Sequence, residues 1–168
     1  FTFTFLIPDH IGLETEFEKT EERIIMVSDY YVVTSEILFN QYCEKYPAKP
    51  PKLVFHDLPN LKLIDDIRNE FSKSKNLKTK VIWVGNSKWG HRQGYIDHKG
   101  LVDYFKPLQN YCEINKPNFT FEIIDSSIKN LSQIETLKKI RDSDILLQIS
   151  NNEGTGIVVL EAIALDTH

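Results

Sequence analysis

Short apolar runs alternate along this chain with segments whose apolar residues recur every three or four positions. Residues 3–7 interleave Phe with Thr and predict a strand. Residues 14–26 are charged on one side and apolar on the other, the pattern of an amphipathic helix. Residues 30–34 form a β-rich run. Ser35 then stands where a helix N-cap is needed, and Ile37, Leu38 and Tyr42 share one face of a helix predicted through Tyr46. Pro47, Pro50 and Pro51 end that helix before another strand over 52–56.

The regularity lapses over 57–80, which hold a Pro-Asn turn, a moderately amphipathic helix over 63–71 and the polar run SKSKNLKTK. This lapse marks the expected domain boundary. Beyond it, residues 81–84 form a continuous apolar strand ending at Gly85, and Leu101, Tyr104, Phe105 and Leu108 make a helical stripe. Phe119, Phe121 and Ile123 mark a strand. Ser132 and Glu135 form a capping-box pair ahead of a helix with Leu131, Ile134, Leu137 and Ile140 on one face. Residues 145–149 read as a buried strand and 156–165 as a final helix. Unbroken apolar strands alternating with helices predict an α/β fold with a parallel sheet covered on both faces.

Composition narrows the class only a little. A 41% hydrophobic and 26% charged content is that of an ordered globular chain, and a net charge of -4 argues against phosphate-backbone binding, so no nucleic-acid partner is expected. Cys43 and Cys112 have no ligand spacing and read as free thiols in a reducing compartment. No basic leader precedes the first apolar run. The chain opens inside one element and closes just after another, so a fragment truncated at both ends is expected, with cytoplasmic placement.

Ligands of parallel α/β sheets bind where strand C-termini lead into helices, and two such loops are unusual here. The first, Gly85-Asn86-Ser87-Lys88-Trp89-Gly90, combines two glycines with small polar residues and a cation, a composition suited to an anion. It matches neither a P-loop nor G-x-G-x-x-G. Lys99-Gly100, expected just inside the next helix, adds a second cation. The second loop, Ser150-Asn151-Asn152-Glu153-Gly154-Thr155-Gly156, leads into IVVLEAIAL, apolar on every side except at Glu161. A carboxylate in a buried helix demands a partner. Gly154 and Gly156 would open the helix N-terminus, whose amides attract a phosphate. A phosphate seat flanked by Glu153 and Glu161 suits a nucleotide sugar.

The segment from Glu153 to Ala162 resembles the Glu-x7-Glu motif of group-1 (family 4) retaining glycosyltransferases, which have two Rossmann-like lobes in the GT-B arrangement. Asp142-Ser143-Asp144-Ile145-Leu146-Leu147 is similar to that family's "A-D-V-x-V" strand, and Val84-Gly85 with Lys99-Gly100-Leu101 to its "V-G-R-x…K-G" segment. Residues 28–35 are similar to the end of its acceptor lobe. The resemblance is specific over the last fifteen residues and loose elsewhere.

It implies an acceptor-lobe remnant over 1–60, a linker over 61–77 and an incomplete donor lobe over 78–168. It also implies hexosyl transfer from a UDP- or GDP-linked sugar to a glycan or lipid hydroxyl, with retention of configuration. By position, Glu153 would contact the donor hexose and Glu161 the ribose. Gly154, Thr155, Gly156 and Ile157 would meet sugar and pyrophosphate, and Lys99 would neutralise the leaving diphosphate. No bound metal or cofactor is implied. Peripheral membrane attachment would come through segments outside this chain. Asn86 replaces the family's usual Arg, leaving Lys88 or Arg92 to supply that charge, and Thr155 replaces its Phe.

Asp142-x-Asp144 falls at a strand entry, the wrong end of the sheet for a metal-diphosphate site. Asp9-His10 follows the first strand, where that family often has a His near the acceptor, and reads at least equally as a loop pair, while His91 and His98 read as polar loop residues. Two rival readings remain: a nucleotide-sugar epimerase of the same plan, and a non-catalytic α/β binding module.

Overall fold

In a computed structural model the structure describes residues 3–5, 16–54, 58–74, 77–91, 94–151 and 156–168. These fall into two compact units that meet in sequence between Asp57 and Leu58. In the first unit, β1 (Phe3–Phe5) pairs in parallel with β2 (Tyr30–Val32), and Val33 bridges Val54 in the same sense. That bridge is all the strand structure the described part of 52–56 forms.

The sequence between these strands folds as its patterning demands. α1 (Glu16–Val27) buries Ile25, and α2 (Glu36–Lys45) starts at Ser35, whose side chain accepts the Leu38 amide at 3.2 Å. Tyr42 is buried, whereas Ile37, expected on the same face, is 71% exposed, because the packed stripe runs through Leu38, Tyr42 and Tyr46 instead. Glu21 lies among the tyrosines and accepts the Tyr42 hydroxyl at 2.5 Å and the Tyr46 hydroxyl at 3.3 Å. Burial, then the hydrogen bond to Glu21, pushes the Tyr42 hydroxyl far above its ordinary pKa, so it stays a donor. Lys49 donates to Met26 O at 3.0 Å, a cation at the C-terminal end of α1.

The second unit begins with α3 (Leu61–Glu70), capped by Asn60, which accepts the Leu63 amide at 3.1 Å. Its residues lie in the expected linker, but Ile64 and Ile67 are part of this unit's core. β3 (Thr79–Gly85) is the central strand, β4 (Phe119–Asp125) lies on one side and β5 (Ile145–Leu146) on the other, all parallel. Val81 and Trp83 point to one face, where they pack with Leu101 and Phe105. Ile82 points to the other, where it meets Ile64 and Ile67 of α3, Leu137 and Ile140 of α5 (Gln133–Arg141), and Ala162 of α6 (Ile157–Ala164). Period-two alternation in β3 thus builds two cores, and the unit is a three-stranded parallel sheet flanked by helices, compatible with a Rossmann-like fold. His168 extends the pattern: its N–H donates to Asp144 O at 3.0 Å and its carbonyl accepts the Leu146 amide at 2.6 Å, the bonding of a parallel neighbour of β5.

The segment after β3 departs from expectation. Leu101–Phe105 is a π-helical turn leading into α4 (Lys106–Asn115), and the Lys106 amide bonds to Leu101 O. The wider turn buries Leu101, Phe105 and Cys112 and leaves Tyr104 and Leu108, predicted in the stripe, exposed. Pro107 explains it. In a regular helix its ring would press on a carbonyl four residues back, and it has no N–H to donate. Ile123 is likewise exposed, because β4 is an outer strand and Ile124 takes the core position.

α5 starts as predicted: Ser132 accepts the Glu135 amide, and Glu135 accepts the Ser132 amide at 2.8 Å. Ser132→Ala should therefore cost about 1 kcal/mol in urea unfolding, and a change indistinguishable from zero would show the cap to be idle. Leu137 and Ile140 are buried as expected, while Ile134 is exposed. Cys43 and Cys112 are both free thiols. Among the described residues no helix is long and apolar enough to cross a membrane.

Candidate functional site

Strand order decides where a ligand can sit. The chain leaves β3 toward the Leu101–Phe105 face, but leaves β5 toward α6 on the opposite face. Neighbouring strands whose following segments diverge open a crevice at their C-terminal ends, a topological switch point. Both loops singled out in the sequence end there, one after β3 and one after β5.

The two loops are tied to each other. The Asn151 amide donates to His98 O at 2.9 Å. Gly100 adopts φ 70, and a Cβ built on it would lie 2.4 Å from Ile149 O, so this position requires glycine both for its backbone and for its space. Lys99 lies one residue ahead of the Gly100 cap rather than inside the helix. Its carbonyl accepts Trp83 Nε1 at 3.1 Å, and its ammonium lies 5.2 Å from the centre of the Trp89 ring.

The first loop is not the bare-amide cradle its composition suggested. The Ser87 amide donates to Asp125 Oδ1 at 3.1 Å, the Lys88 amide to Asn86 Oδ1 at 3.0 Å and the Trp89 amide to Asn86 O at 3.0 Å. Three amides are therefore committed to acceptors within the protein. Asn86 acts as a turn former, and Lys88 extends into solvent. Gly85 has a packing role, since a Cβ there would lie 2.8 Å from the Trp83 ring.

The second loop enters α6 through Gly156, which takes φ 61 and ψ 49 at the N-cap. Ile157 is the first helical residue; the Val159 amide already donates to Gly156 O at 2.8 Å, so the Ile157 and Val158 amides are the ones ahead of the first intrahelical bond. Glu153, Gly154 and Thr155 lie outside the described residues, as do Arg92 and Asp9-His10. α6 is not the wholly buried helix predicted. Ile163 is 66% exposed and Ile157 is exposed, while Glu161, its one acid, is 8% exposed. Gln133 Nε2 donates to Glu161 Oε1 at 3.4 Å. Burial raises the Glu161 pKa above the usual carboxylate range, and that hydrogen bond only partly offsets it.

No protein-family model matches this chain, and no curated protein matches it either.

Three further residues also belong to this edge of the sheet. His98, read as a polar loop residue, is buried, with its ring 4.5 Å from Trp89 and 5.2 Å from Tyr95, centre to centre. Asp97 takes φ 48 and accepts the Val102 amide at 2.7 Å and the Asp103 amide at 2.6 Å. It anchors the π turn, but its Oδ1 is buried without a hydrogen-bond partner. Asp125, at the end of β4, accepts the Ser87 and Ser127 amides through Oδ1, while its buried Oδ2 has none. Burial opposes ionisation of Asp125, yet the hydrogen bonds from Ser87 and Ser127 outweigh it and hold the carboxyl below its ordinary pKa. The only sequence signal for the His98 cluster was the density of rings between Trp89 and His98.

Asp142 and Asp144 are at the entry to β5, the opposite end of the strand from this edge. Asp142 pairs with Lys80 at 3.0 Å and Asp144 with Lys73 at 3.5 Å, so both belong to a charge network at the N-terminal end of the sheet.

Proposed function

We propose that the second unit is the nucleotide-sugar-binding part of a retaining glycosyltransferase of GT-B type, transferring a hexosyl group from a UDP- or GDP-linked sugar to a glycan or lipid hydroxyl. The observation that carries the reading is Glu161. It is a nearly enclosed carboxylate one turn inside a helix with glycine at its N-cap, and among the described residues its one side-chain hydrogen bond is long. An under-bonded acid in that position suits a pair of ribose hydroxyls, which donate to a carboxylate. The leading amides of α6 and the Lys99 ammonium suit the diphosphate.

In this reading the sugar C1–O bond breaks with its electron pair going to the diphosphate, and Lys99 and the helix terminus stabilise the developing charge. The acceptor oxygen forms the new bond on the same face, and its proton passes to the departing phosphate oxygen. Glu153 would orient the hexose, with Gly154 and Thr155 beside it. The loop of Gly85, Asn86 and Lys88 contributes shape and one exposed cation rather than an amide cradle.

That last feature favours a second reading, a binding module of the same fold without transferase activity, since the β3 loop holds its own carboxylate where a ligand anion would go.

Isothermal titration with UDP, GDP and their hexose conjugates tests the proposal. One nucleoside diphosphate should bind saturably, and Lys99→Ala should weaken it about tenfold, as expected for one charge-assisted contact. A folded chain that binds none of them removes the nucleotide reading, and binding without transfer to any acceptor supports the module.

A further inference from the structure

An outer strand carries a row of backbone donors and acceptors with nothing across from it, and folded proteins guard such rows with a proline, a bulge or a lysine in the strand. Among the described strands β4 is an outer one, and it has none of these guards. Its register with β3 runs unbroken from Thr79↔Phe119 to Gly85↔Asp125, and FTFEIID holds no proline or lysine. The Thr79 amide bonds to Asn118 O and the Ser126 amide to Gly85 O. The even-numbered residues of β4 therefore face β3, and the odd-numbered ones turn their N–H and C=O groups outward. The Phe119 amide is taken by Lys116 O, and Asp125 O accepts the Ile128 and Lys129 amides. Both backbone groups of Phe121 and of Ile123 remain, without a hydrogen-bond partner among the described residues.

Beside that edge lies a cavity of about 190 Å³, lined by Ile123, Ile124, Lys129, Leu131 and Lys139 with the strand's own Glu122 and Asp125. Most of its charges are committed. Lys80 at 2.8 Å and Lys139 both pair with Glu122, and Asp125 accepts the Ser87 and Ser127 amides. Lys129 makes no ion pair among the described residues. Its charge reaches Glu135, but that carboxylate already accepts the Ser132 amide and hydroxyl. The Lys129 amide is fixed to the end of the strand through Asp125 O, which holds this cation at the cavity.

We propose that the open edge of β4 docks an extended peptide segment bearing an acidic side chain. The peptide adds as a further strand through the N–H and C=O groups of Phe121 and Ile123, and its acid enters the cavity to pair with Lys129. A second copy of β4 fits less well, because both acids of FTFEIID are already held within their own chain. The edge faces away from β3, and so from the crevice between β3 and β5, and the proposal stands apart from the nucleotide reading.

The probe is an amidated, dye-labelled hexapeptide in which Val and Thr alternate around one central Glu, added to the whole chain and followed by anisotropy. Saturable binding is expected. It should be about fivefold weaker with Gln in place of the peptide's Glu, as a partly exposed ion pair predicts, and absent when the peptide is N-methylated along its backbone. Lys129→Gln should weaken the Glu peptide about fivefold and leave the Gln peptide unchanged, a coupling that a general loss of structure does not produce. In hydrogen exchange the Phe121 and Ile123 amides should exchange about tenfold more slowly with peptide bound. Ile123→Pro removes an outward N–H and no bond to β3, so it should abolish binding. The Lys129→Gln cycle and the exchange rates carry the test where that variant does not fold.

No saturable binding by the wild type, equal affinity for the Glu and Gln peptides, full affinity for the N-methylated peptide, or unchanged exchange at Phe121 and Ile123 would each overturn the proposal. So would self-association that protects those two amides with no peptide present, since the edge would then belong to a second copy.

Discussion

Gly100→Ala should destabilise this protein by about 3–5 kcal/mol, whereas Gly94→Ala should cost only about 1 kcal/mol. Both glycines adopt positive φ, 70° and 87°, so both substitutions force an L-residue into the left-handed region. They differ in what the new methyl meets. At Gly94 nothing lies within 4 Å, but at Gly100 the Cβ would stand 2.4 Å from Ile149 O, a backbone atom that cannot swing aside. Relief requires the loop after β3 and the end of β5 to separate, which strains the Asn151–His98 hydrogen bond and the Trp83 contact to Lys99 O. Urea unfolding of the two variants beside wild type measures the difference. Equal and small losses would mean that the two loops do not pack as described, and the crevice assembled from them would lose its floor.

Much of the second unit was legible because its local and tertiary demands agree. The apolar run at 81–84 could only be an enclosed strand, and Ser132 with Glu135 gives a helix start that does not depend on neighbours. The failures came where a neighbour overrode a period. Tyr104 and Leu108 fit a 3.6-residue repeat, but Pro107, together with Asp97 holding the Val102 and Asp103 amides, selects a π turn, and the repeat is broken there. Ile123 fits an alternating strand but lies on an outer one, and strand order is not written in alternation.

The candidate site was half legible for the same reason. Glu161 declares itself as the one acid in IVVLEAIAL, and Gly100 and Gly156 as glycines at element starts. That Asp125 would occupy the Ser87 amide, or that His98 would be buried against Trp89, depends on residues brought together from separate loops, and no spacing along the chain encodes it.

Glu161→Gln should weaken nucleoside diphosphate binding about 100-fold while making the unliganded protein more stable at neutral pH, by about 1 kcal/mol. The two effects have one cause. Burial raises the Glu161 pKa, so its contribution to stability is fully present below the unfolded value of about 4.5 and is lost as pH rises through the higher folded value. Above that folded value the wild type holds an ionised carboxylate with one long hydrogen bond, at a cost the neutral amide does not incur. The replacement amide oxygen can still accept from Gln133 Nε2, so the contact to α5 survives. What it loses is the charge that would draw two hydroxyl donors. Unfolding measured from pH 4 to pH 8 should show wild-type stability falling relative to the variant as pH rises above about 4.5, and the difference should vanish toward pH 4. Binding should release a proton near the folded pKa, because a ligand that donates hydrogen bonds favours the ionised form. If the variant is less stable at every pH and binds nucleotide as the wild type does, then Glu161 is a structural acceptor between α6 and α5, and the ribose role assigned to it is lost.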